Sequence, residues 1–117
     1  MVVVYGIRNC DTVQRARERL DAAGIAYRFH DFKAQGLSPE LAQTWIAALG
    51  MDAVVNRKGT TWRRLDQATR ESLDARTAAA LLSREPSLVK RPVIAWPGGL
   101  VAGFAKGDEA AILERLR

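Results

Sequence analysis

The sequence predicts an α/β fold, a four-stranded mixed sheet built from both ends of the chain with helices inserted between them. Three observations predict it. A β-branched run at the start gives way to helical spacing, the middle third repeats its apolar residues every three or four positions, and a hairpin signal appears near the end. The order reads βαβ, then helices, then ββα.

Val2 to Tyr5 are β-branched or aromatic, as a buried strand prefers. After Gly6 the spacing becomes helical, with Val13, Ala16 and Leu20 on one stripe and basic residues between them. Gly24 ends that helix. Tyr27-Arg-Phe-His-Asp-Phe32 alternates aromatic and polar residues, the mark of a second strand. Two strands joined through one helix form a right-handed unit with parallel strands.

From Ser38 to about Glu85 the chain reads as helical throughout. Ser38 is a cap before Pro39, and Leu41, Trp45, Ile46 and Leu49 form an apolar stripe that stops at Gly50. A polar, basic turn covers Asn56 to Arg63. Two short helices come next, Asp66 to about Leu73 and Thr77 to Arg84, with Asp74 to Arg76 between them. Pro92 to Trp96 and Leu100 to Ala102 flank Pro97-Gly98-Gly99, a compact hairpin signal. A last helix runs from about Asp108 to Leu116, with Ala111, Ile112 and Leu116 inward. The expected organisation is a single domain over 1–117, the sheet part being 1–36 and 87–117 and the helical insertion about 37–86.

At 117 residues, with 48% hydrophobic and 26% charged residues, the chain can bury a core without staples. No apolar run approaches the ~18 residues of a membrane span, and the first residues lack the pattern of a secretory signal. One cysteine cannot form an internal disulfide, so a reducing cytoplasm is the expected compartment. The net charge of +5 is spread among acidic residues, as in Arg15-Ala-Arg-Glu-Arg19, without a basic run. Direct nucleic-acid binding is therefore not expected, and the charge suits an anionic small molecule or an acidic protein partner. Nothing periodic suggests a coiled coil, so a monomer is expected. One Cys and one His, His30, supply too few soft ligands for a metal site, and His30 reads as structural.

Cys10 is the candidate for chemistry. It lies where the first strand runs out and a helix begins, among Arg8, Asn9, Asp11 and Thr12. A buried cysteine is often an inert hydrophobe, but this is a polar loop. A thiol at that junction faces unpaired backbone N–H groups and the positive end of the helix dipole, and both favour the nucleophilic thiolate. Asp11 would oppose that charge unless it points away; Asp11 or Thr12 is the expected helix cap. If the first hairpin strand pairs antiparallel with the first strand, Pro92 begins where the first strand ends. Arg91 and Pro92 then face Cys10, and Pro92 is either an ordinary trans residue or a cis proline.

Gly6-Ile-Arg-Asn-Cys-Asp-Thr-Val-Gln-Arg-Ala16, Tyr27-Arg-Phe-His-Asp-Phe32, Asn56-Arg-Lys-Gly-Thr-Thr-Trp-Arg-Arg-Leu65, Lys90-Arg-Pro-Val93 and Gly103-Phe104 together carry a resemblance. Over essentially its whole length the chain resembles the arsenate reductase-like (ArsC) family of the thioredoxin superfamily, most of all the YffB subgroup, with further similarity to the Spx regulators. The resemblance implies a thioredoxin-like fold with an all-helical insertion, a cis Pro92, and an active-site cysteine at Cys10. It also implies that Arg57 and Arg91 match anion-binding arginines. The candidate substrate- or glutathione-binding residues are thus Arg57, Arg91, Asn9, Asp11, Thr12 and Pro92, with Lys90, Arg63 and Arg8 as weaker candidates.

Two departures matter. Phe104 stands where arsenate reductases carry a third arginine, and a missing cation weakens an oxyanion pocket. The position three after Cys10 is Val13, so there is no second thiol for an internal disulfide. Resemblance and departures together imply a monothiol oxidoreductase with no tightly bound cofactor. Its covalent intermediate would be resolved by an external thiol, glutathione being the expected co-substrate. The alternative is an Spx-like regulator that binds RNA polymerase or another protein partner without catalysis.

Overall fold

Val2–Gly6 forms β1 in the computed structural model, which describes every residue from Met1 to Arg117. The chain then runs through α1 (Asp11–Ala22), β2 (Tyr27–Asp31), α2 (Phe32–Gln35), α3 (Pro39–Leu49), α4 (Met51–Val54), α5 (Thr60–Arg64), α6 (Gln67–Glu71), α7 (Ala75–Arg84), β3 (Val93–Trp96), β4 (Gly99–Ala102) and α8 (Glu109–Leu116). Two units result: Met1–Gln35 with Arg91–Arg117, and Gly36–Lys90. No helix is long and apolar enough to cross a membrane.

The first unit holds a mixed sheet in the order β2-β1-β3-β4, the thioredoxin-like α/β arrangement expected from the sequence. β1 pairs parallel with β2, from Val2 opposite Tyr27 to Gly6 opposite Asp31. It pairs antiparallel with β3, Tyr5 opposite Val93. The hairpin closes with Trp96 opposite Gly99. The core packs Val2, Val4 and Ile94 of the sheet against Ala16, Leu20, Ile112 and Leu113 of the helices, with Phe104 among them at 1% exposure. α1 buries Val13, Ala16 and Leu20, the stripe the spacing predicts. α8 differs from expectation: it buries Glu109, Ile112 and Leu113, while Ala111 is exposed and Leu116 half-buried. Residues 109, 112, 113 and 116 share a face at helical spacing, and 111 lies off it.

Gly6 lets β1 and α1 approach closely. A Cβ at Gly6 would sit 2.7 Å from Val13 Cγ2, and Val13 is wholly buried.

In the second unit Ser38 caps α3, its hydroxyl oxygen accepting the Leu41 N–H at 3.1 Å. The residues fully buried along α3 are Ala42, Trp45 and Ile46; Leu41 and Leu49, expected in the stripe, are half-buried at its margins. α7 begins at Ala75, two residues before the predicted start, because Asp74 is its cap. The Asp74 carboxylate accepts the Thr77 N–H at 2.9 Å while the Thr77 hydroxyl accepts the Asp74 N–H at 3.0 Å. This reciprocal box holds the Asp74 carboxyl below the ordinary aspartate value, the Thr77 backbone bond being the main cause. Asp66, capping α6 through Thr69, is lowered likewise by its bonds to Thr69.

The region departs from the helical-throughout expectation. Val55 and Val89 form an antiparallel bridge, with Asn56 N–H to the Leu88 carbonyl and Lys90 N–H to the Val54 carbonyl, each 2.7 Å. Within the expected polar turn, Thr60–Arg64 folds as α5.

Candidate active site

The loop from β1 to α1 is fixed at both ends. Ile7 is buried beneath it, and the Cys10 N–H donates to the Ile7 carbonyl at 3.3 Å. The Gln14 side-chain amide donates to the Arg8 carbonyl at 3.0 Å. Arg8 itself reaches Asp31, which is 8% exposed at the end of β2, with Nε to Oδ2 at 3.1 Å. The other Asp31 oxygen accepts the Lys33 N–H at 3.0 Å. Arg8 is thus engaged in holding the loop.

Cys10 occupies the cap position of α1 in extended conformation (φ −92°, ψ 124°), and its carbonyl accepts the Gln14 N–H at 2.9 Å. Its thiol is free and half-buried and makes no capping hydrogen bond. Neither Asp11 nor Thr12 caps the helix, contrary to expectation: the turn closing on Ile7 starts the helix early enough that both already lie in its first turn. Asp11 projects from that turn into solvent, as does Asn9 from the loop, while Thr12 is half-buried. A carboxylate in the first turn is also favourable to the helix dipole.

The sheet register carries the opposite wall. With Tyr5 opposite Val93 in an antiparallel pair, the residues after β1 and those before β3 share one end of the sheet. There Pro92 is buried and Arg91 half-buried, and the Arg91–Pro92 peptide is cis. The Pro92 carbonyl accepts the Gly103 N–H at 2.8 Å. Cys10, Asn9, Asp11, Thr12, Arg91 and Pro92 are therefore gathered at this end of the first unit.

Arg57 belongs to the second unit. Its guanidinium pairs with Asp52 at 3.0 Å and lies 5.4 Å above the Trp62 ring. The Asn56 side chain accepts the Lys58 N–H at 3.1 Å, a tight turn that sets Arg57 and Lys58 side by side. Together with Asp52, Val55, Asn56 and Lys90 they line a cleft of about 260 Å³. Three cations against one carboxylate make it an anion-attracting surface. Arg63 braces its rim by donating to the Lys58 carbonyl at 3.4 Å.

His30 lies against Tyr5 and Phe32, with ring centroids 4.9 and 5.9 Å away. No group of three or more His, Cys, Asp or Glu residues lies together.

A polar cluster behind the loop has no counterpart among the residues the sequence singles out. Glu109 is 6% exposed and meets two arginines of α1, Arg15 Nε at 2.8 Å and Arg19 Nη1 at 2.9 Å. Arg15 Nη2 also donates to the Phe104 carbonyl. Glu109 lies 94 residues from Arg15 in the chain, so no local spacing announces the contact.

Known proteins resemble this chain in sequence and in fold. A protein named YffB has a solved structure with 43% identity and a TM-score of 0.90, covering 97% of this chain and 99% of its own. An arsenate reductase (ArsC) related protein from Brucella melitensis is 41% identical with a TM-score of 0.77, over 94% of this chain and 92% of its own. An uncharacterized protein of Haemophilus influenzae is 40% identical over 111 residues, 95% of this chain and 97% of its own. The model of the ArsC family matches residues 5–112. By sequence and by fold, the chain belongs to the ArsC family.

Proposed function

We propose that the protein is a monothiol oxidoreductase that uses Cys10 as nucleophile and glutathione as co-substrate. Membership of the ArsC family, with an arsenate reductase-like fold, supports a thiol oxidoreductase role. The observation that carries the finer reading is the seat of Cys10: a free, half-buried thiol at the N-terminal cap of α1, at the sheet end that also bears Arg91 and Pro92. The first N–H groups of α1 have no partner within the helix, and a sulfur anion at the cap is their natural acceptor.

In the first step the Cys10 thiolate attacks one sulfur of a disulfide, R–S–S–G. A new S–S bond forms, the old one breaks, and the leaving sulfur departs as a thiolate. Glutathione thiolate then attacks the Cys10 mixed disulfide, releasing the oxidised pair and restoring the Cys10 thiolate. The lone cysteine makes this external step obligatory. Arg91 suits a carboxylate of glutathione, and within the second unit the basic cleft of Arg57, Lys58 and Lys90 suits a small anion. Asn9, Asp11 and Thr12 bear the backbone that surrounds the thiol. Arsenate is a poor candidate substrate, because the Phe104 ring fills core space and supplies no cation. A reducing cytoplasm, which maintains the glutathione pool, is the compartment this chemistry suits.

Incubation with oxidised glutathione at neutral pH, followed by intact-mass measurement, tests the reading. The expected result is one glutathione per chain, none on Cys10→Ser, and slower formation on Arg91→Ala. Wild-type protein that gains no adduct would overturn it and leave the partner-binding alternative.

A further inference from the structure

The polar cluster behind the loop connects the two walls of the candidate site. From one wall, Pro92 is tied through its carbonyl to the Gly103 N–H at 2.8 Å. The next residue, Phe104, accepts Arg15 Nη2 on its carbonyl. Arg15 sits on α1, the helix whose cap is Cys10, and its Nε is held by Glu109 at 2.8 Å. Arg19, one turn on, takes the other Glu109 oxygen at 2.9 Å. One continuous hydrogen-bonded path thus runs from Pro92 through Gly103, Phe104 and Arg15 to the helix that carries the thiol.

The apolar contacts of Val13, Ala16 and Leu20 hold the helix against the sheet, but they are non-directional. A guanidinium fork divided between a carboxylate and a carbonyl adds direction, because both bonds need their donors at fixed positions. Glu109 is almost out of water, so its charge requires the two arginines where they stand.

We infer that Arg15 and Glu109 are positioning residues that set the Cys10 end of α1 against the Pro92 segment, fixing the geometry of thiol attack. Neither touches substrate; both act through the helix and the Phe104 carbonyl. The inference rests on Cys10 being the nucleophile, and it adds residues for which the sequence carries no signal.

The test compares wild type, Arg15→Lys, Glu109→Gln and a control, Leu82→Ala, whose buried side chain lies in the other unit. Lysine keeps the charge but loses the fork, and glutamine keeps the shape but loses the charge. Each is measured, at a temperature where circular dichroism shows it folded, for the rate of mixed-disulfide formation with oxidised glutathione. The rate of Cys10 alkylation by iodoacetamide is also followed against pH.

The expected result is a roughly tenfold slower disulfide reaction in both clamp variants, the scale of loss that a misplaced reacting group produces. Their alkylation profile against pH departs from that of wild type, while Leu82→Ala loses thermal stability with both reactivities unchanged. Clamp variants that match wild type in rate and pH profile would overturn the inference and leave the proposed function standing. A control that slows as much as they do would also overturn it, since the effect would then be general loosening. If wild type forms no glutathione adduct, the proposed function fails. The alkylation profile then decides the clamp alone, an unchanged profile overturning it and a shifted one upholding it.

Discussion

A methyl group added at Gly6 has no room: it would meet Val13 Cγ2 at 2.7 Å, and Val13 is a fully buried, β-branched side chain that cannot swing aside. Gly6→Ala is expected to cost about 1–3 kcal/mol, the usual penalty for overfilling a packed core, measured by urea denaturation. Because the forced shift falls between β1 and α1, the same variant should also slow Cys10 alkylation in the folded state. Residues differ in how far their roles are visible in the chain. Cys10 stands out because a lone thiol among polar neighbours at a strand-to-helix junction is unusual in itself. Gly6 reads only as the end of a strand, since its constraint comes from a side chain that folding brings alongside. Arg15 and Glu109 read as two more charges on amphipathic helices.

At the scale of the element, caps govern the helical unit. The carboxyl of Asp74 is held below the usual aspartate value by the Thr77 bonds. A group lowered in the folded state contributes stability that is complete above its ordinary value, about pH 4, and is lost as the pH falls through the lowered folded value. Asp74→Ala is therefore expected to unfold at lower urea concentration than wild type at pH 7, followed by helical circular dichroism, and the gap should narrow below about pH 4. Long, regular elements are visible from spacing: α1 and α3 lie within a residue or two of where their apolar stripes and caps put them. α2 and α4, four residues each, span barely one turn and carry no period to detect. In the chain Asp74 reads as part of a break between helices, which is half of what a cap is. The bridge of Val55 with Val89 leaves no local pattern, because it joins isolated residues far apart in sequence.

Over the whole molecule, a net charge of +5 is carried largely by arginines, several laid on aromatic rings. Arg17 lies 4.1 Å from the Phe29 centroid, with Arg8 at 5.6 Å, and Arg115 lies 4.9 Å from that of Trp96. Their stems cover apolar surface while the guanidinium groups keep the exterior positive. An anionic disulfide such as oxidised glutathione should accordingly react faster at low salt. Between about 0.01 M and 0.15 M ionic strength the screening length falls from roughly 30 to 8 Å, and the second-order adduct rate should fall several-fold. A neutral disulfide should show little change, and equal salt dependence for both would argue against steering by this surface. The sheet order is accessible from the chain because connection rules leave few topologies for βαβ followed by a hairpin. The ties of Arg15 and Arg19 to Glu109 and Phe104 are not, because they join the first and last thirds.

That same topology sets a timetable for the newborn chain. β1 is an inner strand, yet its antiparallel neighbour β3 is 88 positions later, from Tyr5 to Val93. At translation speeds of about 5–20 residues per second, one flank of an apolar strand waits roughly 4–18 s for the ribosome to deliver its mate. Meanwhile Gly36–Lys90, whose backbone ties fall within its own span, can assemble first. The helical unit can thus close before the sheet does, and β1, though made earlier, is among the last elements to be sealed.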